Sequence, residues 1–159
     1  FSSCWAAGAA TLVLAGEGEL RGELERQVAE LGLTGSVRFL GLISQHTIPA
    51  LLKCLDVMVM PSLHEGLPVT LVEAQCAGLP CVVSSAVTSE CDLGLQLVDF
   101  VDLHKTAEEW SQCVSAAQRK PRPSWDVVRQ GIEAKRYDIA ACVDELTRLY
   151  RGSEATAST

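Results

Sequence analysis

The sequence predicts an α/β domain with a parallel sheet and helices on both faces. Short apolar, β-branched runs (Thr11–Ala15, Val37–Leu40, Val57–Met60, Cys81–Ser84, Leu95–Val101) alternate with helix-length segments, and parallel neighbours require such crossovers. Gly32, Pro61, Gly78 and Pro80 fall at the boundaries, where they end helices or start strands. At 159 residues the chain is one domain of ordinary size, long enough to bury a substantial core. The expected fold is therefore Rossmann-like.

Taken in order, Phe1 to Ala10 is small and apolar and reads as the end of a helix from an upstream part. Thr11 to Ala15 is a buried strand, followed by Gly16-Glu17-Gly18 and a helix from Leu20 to Leu31. Gly16, Gly18 and Gly22 form a loose dinucleotide-type pattern. Two features oppose that reading: Glu17 and Glu19 crowd negative charge where a pyrophosphate would sit, and no acid ends the next strand, Val37–Leu40. Thr47 to Leu55 is a short helix that tolerates Pro49 only in its first turn. After Ser84 the pattern loosens towards Glu90, and Leu95 to Val101 reads as the last strand. Thr106-Ala107-Glu108-Glu109 is a capping box for a helix to Gln118. Arg119 to Pro123 is a basic, proline-broken linker, read as a solvated turn. Ser124 caps a helix to Ala134, and Asp138 opens a last one with Ile139, Val143, Leu146 and Tyr150 along a core or domain-contact face. The domain is expected to span residues 1–152, with 153–159 a disordered tail.

The functional signal lies between Val57 and Ser84. Here strand Val57–Met60, turn Ser62–Pro68, helix Val69–Ala77 and strand Cys81–Ser84 follow directly on one another. Gly66 lets backbone approach a ligand closely, and Pro68 suits the first helical position. The helix N-terminus is left open at the carboxyl end of a parallel strand, a place that suits a phosphate. Glu65 precedes it and Glu73 lies inside the helix, so the two are on the order of 10 Å apart. Taken singly, Glu65 reads as a favourable charge near a helix N-terminus and Glu73 as a solvated residue. Together they suit a nucleotide sugar, with the diphosphate over the helix and carboxylates accepting from sugar and ribose hydroxyls.

The run E-G-L-P-V-T-L-V-E-A-Q-C-A-G-L-P-C-V-V-S resembles the donor-binding signature of the family-4 retaining nucleotide-sugar glycosyltransferases, whose architecture is the two-domain GT-B type. Their two glutamates, with seven residues between them, match Glu65 and Glu73. A-G-E-G-E-L and V-R-F-L-G resemble the usual lead-in, and P-S-L-x-E-G-L-P with E-A-Q-x-A-G-L-P-C is closest to capsule and exopolysaccharide transferases. The resemblance implies that Glu65, a catalytic residue, meets the sugar together with Gly66, Leu67, Pro68 and Val69. It assigns Glu73 to the ribose and places Leu42 and Ile43 at the edge of the base. His64 carries little weight, because the family varies there. The implied reaction moves a sugar from a UDP- or GDP-sugar to a sugar or lipid-linked hydroxyl acceptor with retention, in bacterial surface polysaccharide synthesis.

Thirteen basic and twenty acidic residues give a net charge of −7, which argues against nucleic acid or an anionic bilayer as partner. Seven cysteines without a C-x-x-C pair read as reduced core residues of a cytosolic protein. His46, His64 and His104 do not cluster, and neither a metal nor another cofactor is expected. No apolar run has membrane-span length. The location expected is cytoplasmic, with membrane association through a missing half as a further option.

Against the family pattern, the acceptor-binding N-terminal GT-B domain is absent. The opening strand of the donor half, with its usual phosphate-clamping Arg and Lys, is absent too. A chain that opens on Phe1 reads as a fragment, expected to be inactive alone. Two other classes stay open, a nucleotide-sugar 2-epimerase of related architecture and a non-catalytic nucleotide-sugar binding or assembly module.

Overall fold

A computed structural model describes residues 10–156. Five strands alternate with helices: β1 (Leu12–Ala15), α1 (Arg21–Glu30), β2 (Val37–Gly41), α2 (Ile48–Cys54), β3 (Met58–Met60), α3 (Val69–Cys76), β4 (Cys81–Ser84) and β5 (Val98–Val101). Three more helices follow: α4 (Ala107–Ala117), α5 (Trp125–Ala134) and α6 (Ile139–Thr156). All pairings are parallel: β1 with β2, β3 with β4, and β4 with β5. The Rossmann-like α/β architecture is thus as expected, but the strands form two sheets, ordered β1-β2 and β3-β4-β5.

β4 organises the core. Its four residues, C-V-V-S, are all buried, the pattern of a strand covered on both faces. With a period of two, Cys81 and Val83 face one side, where they pack with Leu52 of α2, Leu71 and Ala74 of α3, Leu79, Val87 and Cys91. Val82 faces the other side with Val101 and Ala117 of α4. Each fully buried Leu or Val contributes about 1.5–3 kcal/mol. The helix layers are therefore fixed by one short strand.

α3 ends in a Schellman turn. Gly78 adopts φ +69 and donates to the Gln75 carbonyl at 2.9 Å, while Leu79 donates to Ala74 at 3.0 Å. Pro80 then starts β4 almost at once.

Several details differ from expectation. β5 is shorter, beginning at Val98, because Gln96 takes φ 58 and breaks the extended run at Leu95-Gln96. Ser89–Cys91 forms a short 3₁₀ turn capped by the Thr88 side chain. The Thr106–Glu109 capping box forms as predicted, whereas Ser124 sits at the start of α5 without a side-chain hydrogen bond. The basic linker is more than a solvated turn: Arg122 donates to the Lys53 and Leu55 carbonyls at the end of α2, and Lys120 pairs with Asp99 at 2.7 Å. α6 runs on to Thr156, so helix occupies part of the segment expected as a tail. Phe1 to Ala9 and Ala157 to Thr159, including most of the expected upstream helix end, lie outside the described residues.

Candidate functional site: the open end of helix α3

β3 delivers the chain to Pro61 and the turn 62–68, from which α3 starts. Pro68 takes the N-cap position, one residue ahead of the expected first helical position, with φ −75 and ψ 96 and no side-chain cap. The first N–H groups of α3 have no intrahelical acceptor, as at any helix start. The Leu71 N–H turns back to the Pro68 carbonyl at 3.0 Å. Val69 and Thr70 are exposed at this end, so donors and the positive dipole end face solvent.

Glu65 is partly buried beside this helix end and accepts a hydrogen bond from the Ser62 hydroxyl at 2.8 Å. The hydroxyl fixes one carboxylate oxygen and leaves the other to accept elsewhere. Gly66 is exposed, its backbone is outside the left-handed region, and a Cβ there would meet nothing within 4 Å. Neither strain nor protein packing calls for glycine at this position. Leu67 is 45% exposed, Val69 63% and Leu42 82%, so apolar surface surrounds the polar groups. Ile43 is half-buried beside Leu42, which is therefore a free edge and not a core-packing residue.

Glu73 is exposed on α3 and enters none of the ion pairs among the described residues. It lines an apolar groove of about 290 Å³ with Ile48, Leu52, Val72 and Trp125. Glu65 does not line that groove. The two glutamates thus share one helix and its entry turn, but the described residues do not enclose them in one cavity. A second groove, of about 510 Å³, lies at the carboxyl end of β1 and is lined by Gly16, Glu17, Gly18, Glu19 and Phe39. Arg21 bonds both Glu17 and Glu25 there, so its charge is already engaged by carboxylates.

Behind the site, Gln75 is fully buried. Its Nε2 donates to the carbonyls of Leu71 at 3.1 Å and Cys91 at 2.8 Å, and its Oε1 accepts from the Leu93 N–H at 2.9 Å. This ties the 85–93 loop to α3. Sequence reasoning missed it, because a glutamine inside a helix reads as solvated; its place between Ala74 and Cys76 in an apolar run was the available signal.

The first 93 residues carry a further finding. Residues 6–93 match the family model described as "Glycosyl transferases group 1". The chain belongs to the group 1 glycosyltransferase family.

Within this family it is 40% identical over 139 residues to the putative glycosyltransferase EpsF of Bacillus subtilis, covering 87% of this chain and 36% of EpsF. It is 43% identical over 124 residues to the 2-deoxystreptamine glucosyltransferase of Streptomyces kanamyceticus, covering 77% of this chain and 32% of that protein. The chain therefore spans about a third of the length of these relatives. Among solved structures, Anabaena HepE in complex with UDP matches with a TM-score of 0.71 at 21% identity, covering 90% of this chain and 41% of that one. The glycosyltransferase WaaG matches with a TM-score of 0.63 at 16% identity, over 86% of this chain and 36% of that one. These likenesses establish the Rossmann-like fold shared with GT-B glycosyltransferases.

Proposed function

We propose that this chain is the donor-binding, C-terminal half of a retaining GT-B glycosyltransferase of the family-4 type, comprising residues 1–152 as its nucleotide-sugar domain. The intact enzyme transfers a sugar from a UDP- or GDP-sugar to a sugar or lipid-linked hydroxyl acceptor in bacterial surface polysaccharide synthesis. It works in the cytoplasm, and any membrane contact is made through the N-terminal half. No described helix is long and apolar enough to cross a membrane.

The observation that carries the reading is the uncapped start of α3 with Glu65 held beside it by Ser62. The diphosphate lies over the Gly66–Val69 backbone, and Leu67 and Pro68 border it. Glu65 accepts from sugar hydroxyls next to the reacting carbon, Glu73 accepts from the ribose diol, and Leu42 and Ile43 flank the base. Charged acceptors discriminate well for hydroxyl donors, because an analogue without the hydroxyl leaves a carboxylate unpaired. The names of EpsF and of a second relative, an α-1,3-galactosyltransferase from Escherichia coli acting with a UDP-sugar, support the same reading.

The helix end carries about half a positive charge, against the full negative charges of a diphosphate. This fragment by itself therefore binds the donor weakly and transfers no sugar. The test is a titration of UDP and GDP followed by amide NMR and calorimetry. Shifts should appear at Gly66, Leu67, Val69 and Thr70, and Glu73→Ala should weaken binding about tenfold, the size of one charged hydrogen bond. Equal binding by Glu73→Ala removes Glu73 from the site, and sugar transfer by the 159-residue chain overturns the inactivity.

A further inference from the structure

Two charged side chains border the groove between α2 and α3, and the fold uses neither. Lys53 and Glu73 both line it, with Ile48, Leu52 and Val72 as apolar lining and Trp125, at the start of α5, as its aromatic wall. Both charged residues are exposed, yet among the described residues they form no ion pair with each other or with any other group. A lysine in the last turn of a helix ordinarily serves the open carbonyls there. At α2 that task falls to Arg122, which donates to the Lys53 and Leu55 carbonyls. The Lys53 ammonium is left over.

Trp125 is left over in the same way. Trp110, the other indole among the described residues, packs against a core cluster and donates its N–H to the Asp102 carbonyl at 3.2 Å. Trp125 is 64% exposed, although it opens a helix that buries Val128 and Gly131. A lone exposed tryptophan needs no explanation. One that stands in a groove with an unused cation and an unused anion has the make-up of a small-molecule site, apolar with a few convergent polar groups.

The groove starts at the site already described. Glu73 is four residues along α3 from Val69, and Cys76 and Ala77 follow on the same face, within the groove. At about 1.5 Å per residue, Glu73 is about 6 Å from the open helix end, and Cys76 and Ala77 are about 5 Å farther on. A nucleoside diphosphate laid along this line has its phosphates at the helix end and its ribose at Glu73. Its base then falls beside Cys76, between α2 and Trp125.

We infer that Trp125 and Lys53 read the base of the donor nucleotide, Trp125 by stacking on the ring and Lys53 by donating to a ring carbonyl. The inference rests on the nucleotide-sugar reading and deepens it. Uracil and guanine present a keto oxygen where cytosine and adenine present an amino donor. An ammonium carries donors and no acceptor, so it bonds the keto bases and sets donor against donor with the amino ones. Stacking on an aromatic face tolerates any base. Trp125 therefore supplies affinity and Lys53 selectivity, while Leu42 and Ile43, in the loop leading into α2, stay at the edge of the base.

The test titrates the 159-residue chain with UDP, GDP, CDP and ADP, which share ribose and diphosphate and differ in the base, and follows indole and backbone N–H groups by NMR. UDP and GDP should move the Trp125 indole signal, leave that of Trp110 in place, and bind about tenfold more tightly than CDP and ADP, the worth of one charged hydrogen bond. Lys53→Met should bring all four to within about twofold of one another, and Lys53→Arg should keep the preference. Trp125→Ala should weaken all four about tenfold with the circular dichroism of the parent. The inference is overturned if UDP moves the Gly66–Thr70 amides without moving the Trp125 indole, if the parent does not separate UDP from CDP, or if Lys53→Met separates them as well as the parent does. Each of those outcomes leaves the nucleotide-sugar reading standing. Failure of every nucleotide to move the Gly66–Thr70 amides overturns both.

Discussion

Gln75 and Leu93 are joined across the fold: the Leu93 N–H donates to the Gln75 Oε1 at 2.9 Å, inside a fully buried environment. The Gln75 Nε2 in turn donates to the Cys91 carbonyl at 2.8 Å. Replacing Gln75 by alanine strips partners from a buried N–H and a buried carbonyl and leaves a void. Each unsatisfied group costs about 1–3 kcal/mol. Gln75→Ala should therefore lose about 3 kcal/mol in urea unfolding, and Leu93 amide exchange should accelerate before global unfolding does. A loss below about 0.5 kcal/mol would mean that water replaces the amide without penalty.

Gly131 poses a contest between propensity and packing. Within a helix, Gly→Ala gains about 1 kcal/mol. At Gly131 an added Cβ would lie 2.9 Å from Leu95 Cδ2 and 3.0 Å from the Leu93 carbonyl oxygen. The leucine tip can rotate, but the carbonyl belongs to the segment that Gln75 holds. Overpacking costs about 1–3 kcal/mol, so Gly131→Ala should lower the melting temperature. A rise would show that α5 moves away freely.

The cysteines predict an alkaline limit to stability. Burial pushes the Cys81 thiol up from 9.0 to about 12, against a smaller opposing pull from Lys120. Burial also raises Cys91, and burial followed by the Glu73 charge raises Cys76. In the unfolded chain these thiols ionise near 9.0. The folded state then holds more protons, so the stabilising contribution is complete below that pH and is lost as pH climbs towards about 12. Urea midpoints should fall across this window, and Cys81→Ala should flatten the fall. At pH 8, iodoacetamide should label exposed Cys54 first and reach buried Cys81 and Cys91 only in denaturant.

Much of the fold was legible because strong punctuation coincided with period changes. Pro61, Gly78 and Pro80 frame β3, α3 and β4 to within a residue or two, and each acts through its own backbone restriction. The placement of Glu65, Gly66 and Val69 at one helix start followed from that frame. Other features depend on contacts distant in sequence. Arg122 reaches carbonyls 69 and 67 residues away, and nothing local in Arg119–Pro123 specifies that. Ser124 shows the converse: the right residue at a helix start can leave its cap unmade. The divided sheet was equally hidden, since strand order is a property of pairing and not of pattern.

The Schellman turn at Gly78 and the Gln75 clasp hold the rear of α3, while its front carries no side-chain cap. Rear anchoring means that the donor groups at the front are aligned before any guest arrives. The ordering entropy of those amides is spent during folding, so an arriving anion forfeits little affinity to immobilisation. Recognition at this end should accordingly show a small heat-capacity change and leave the backbone almost unmoved.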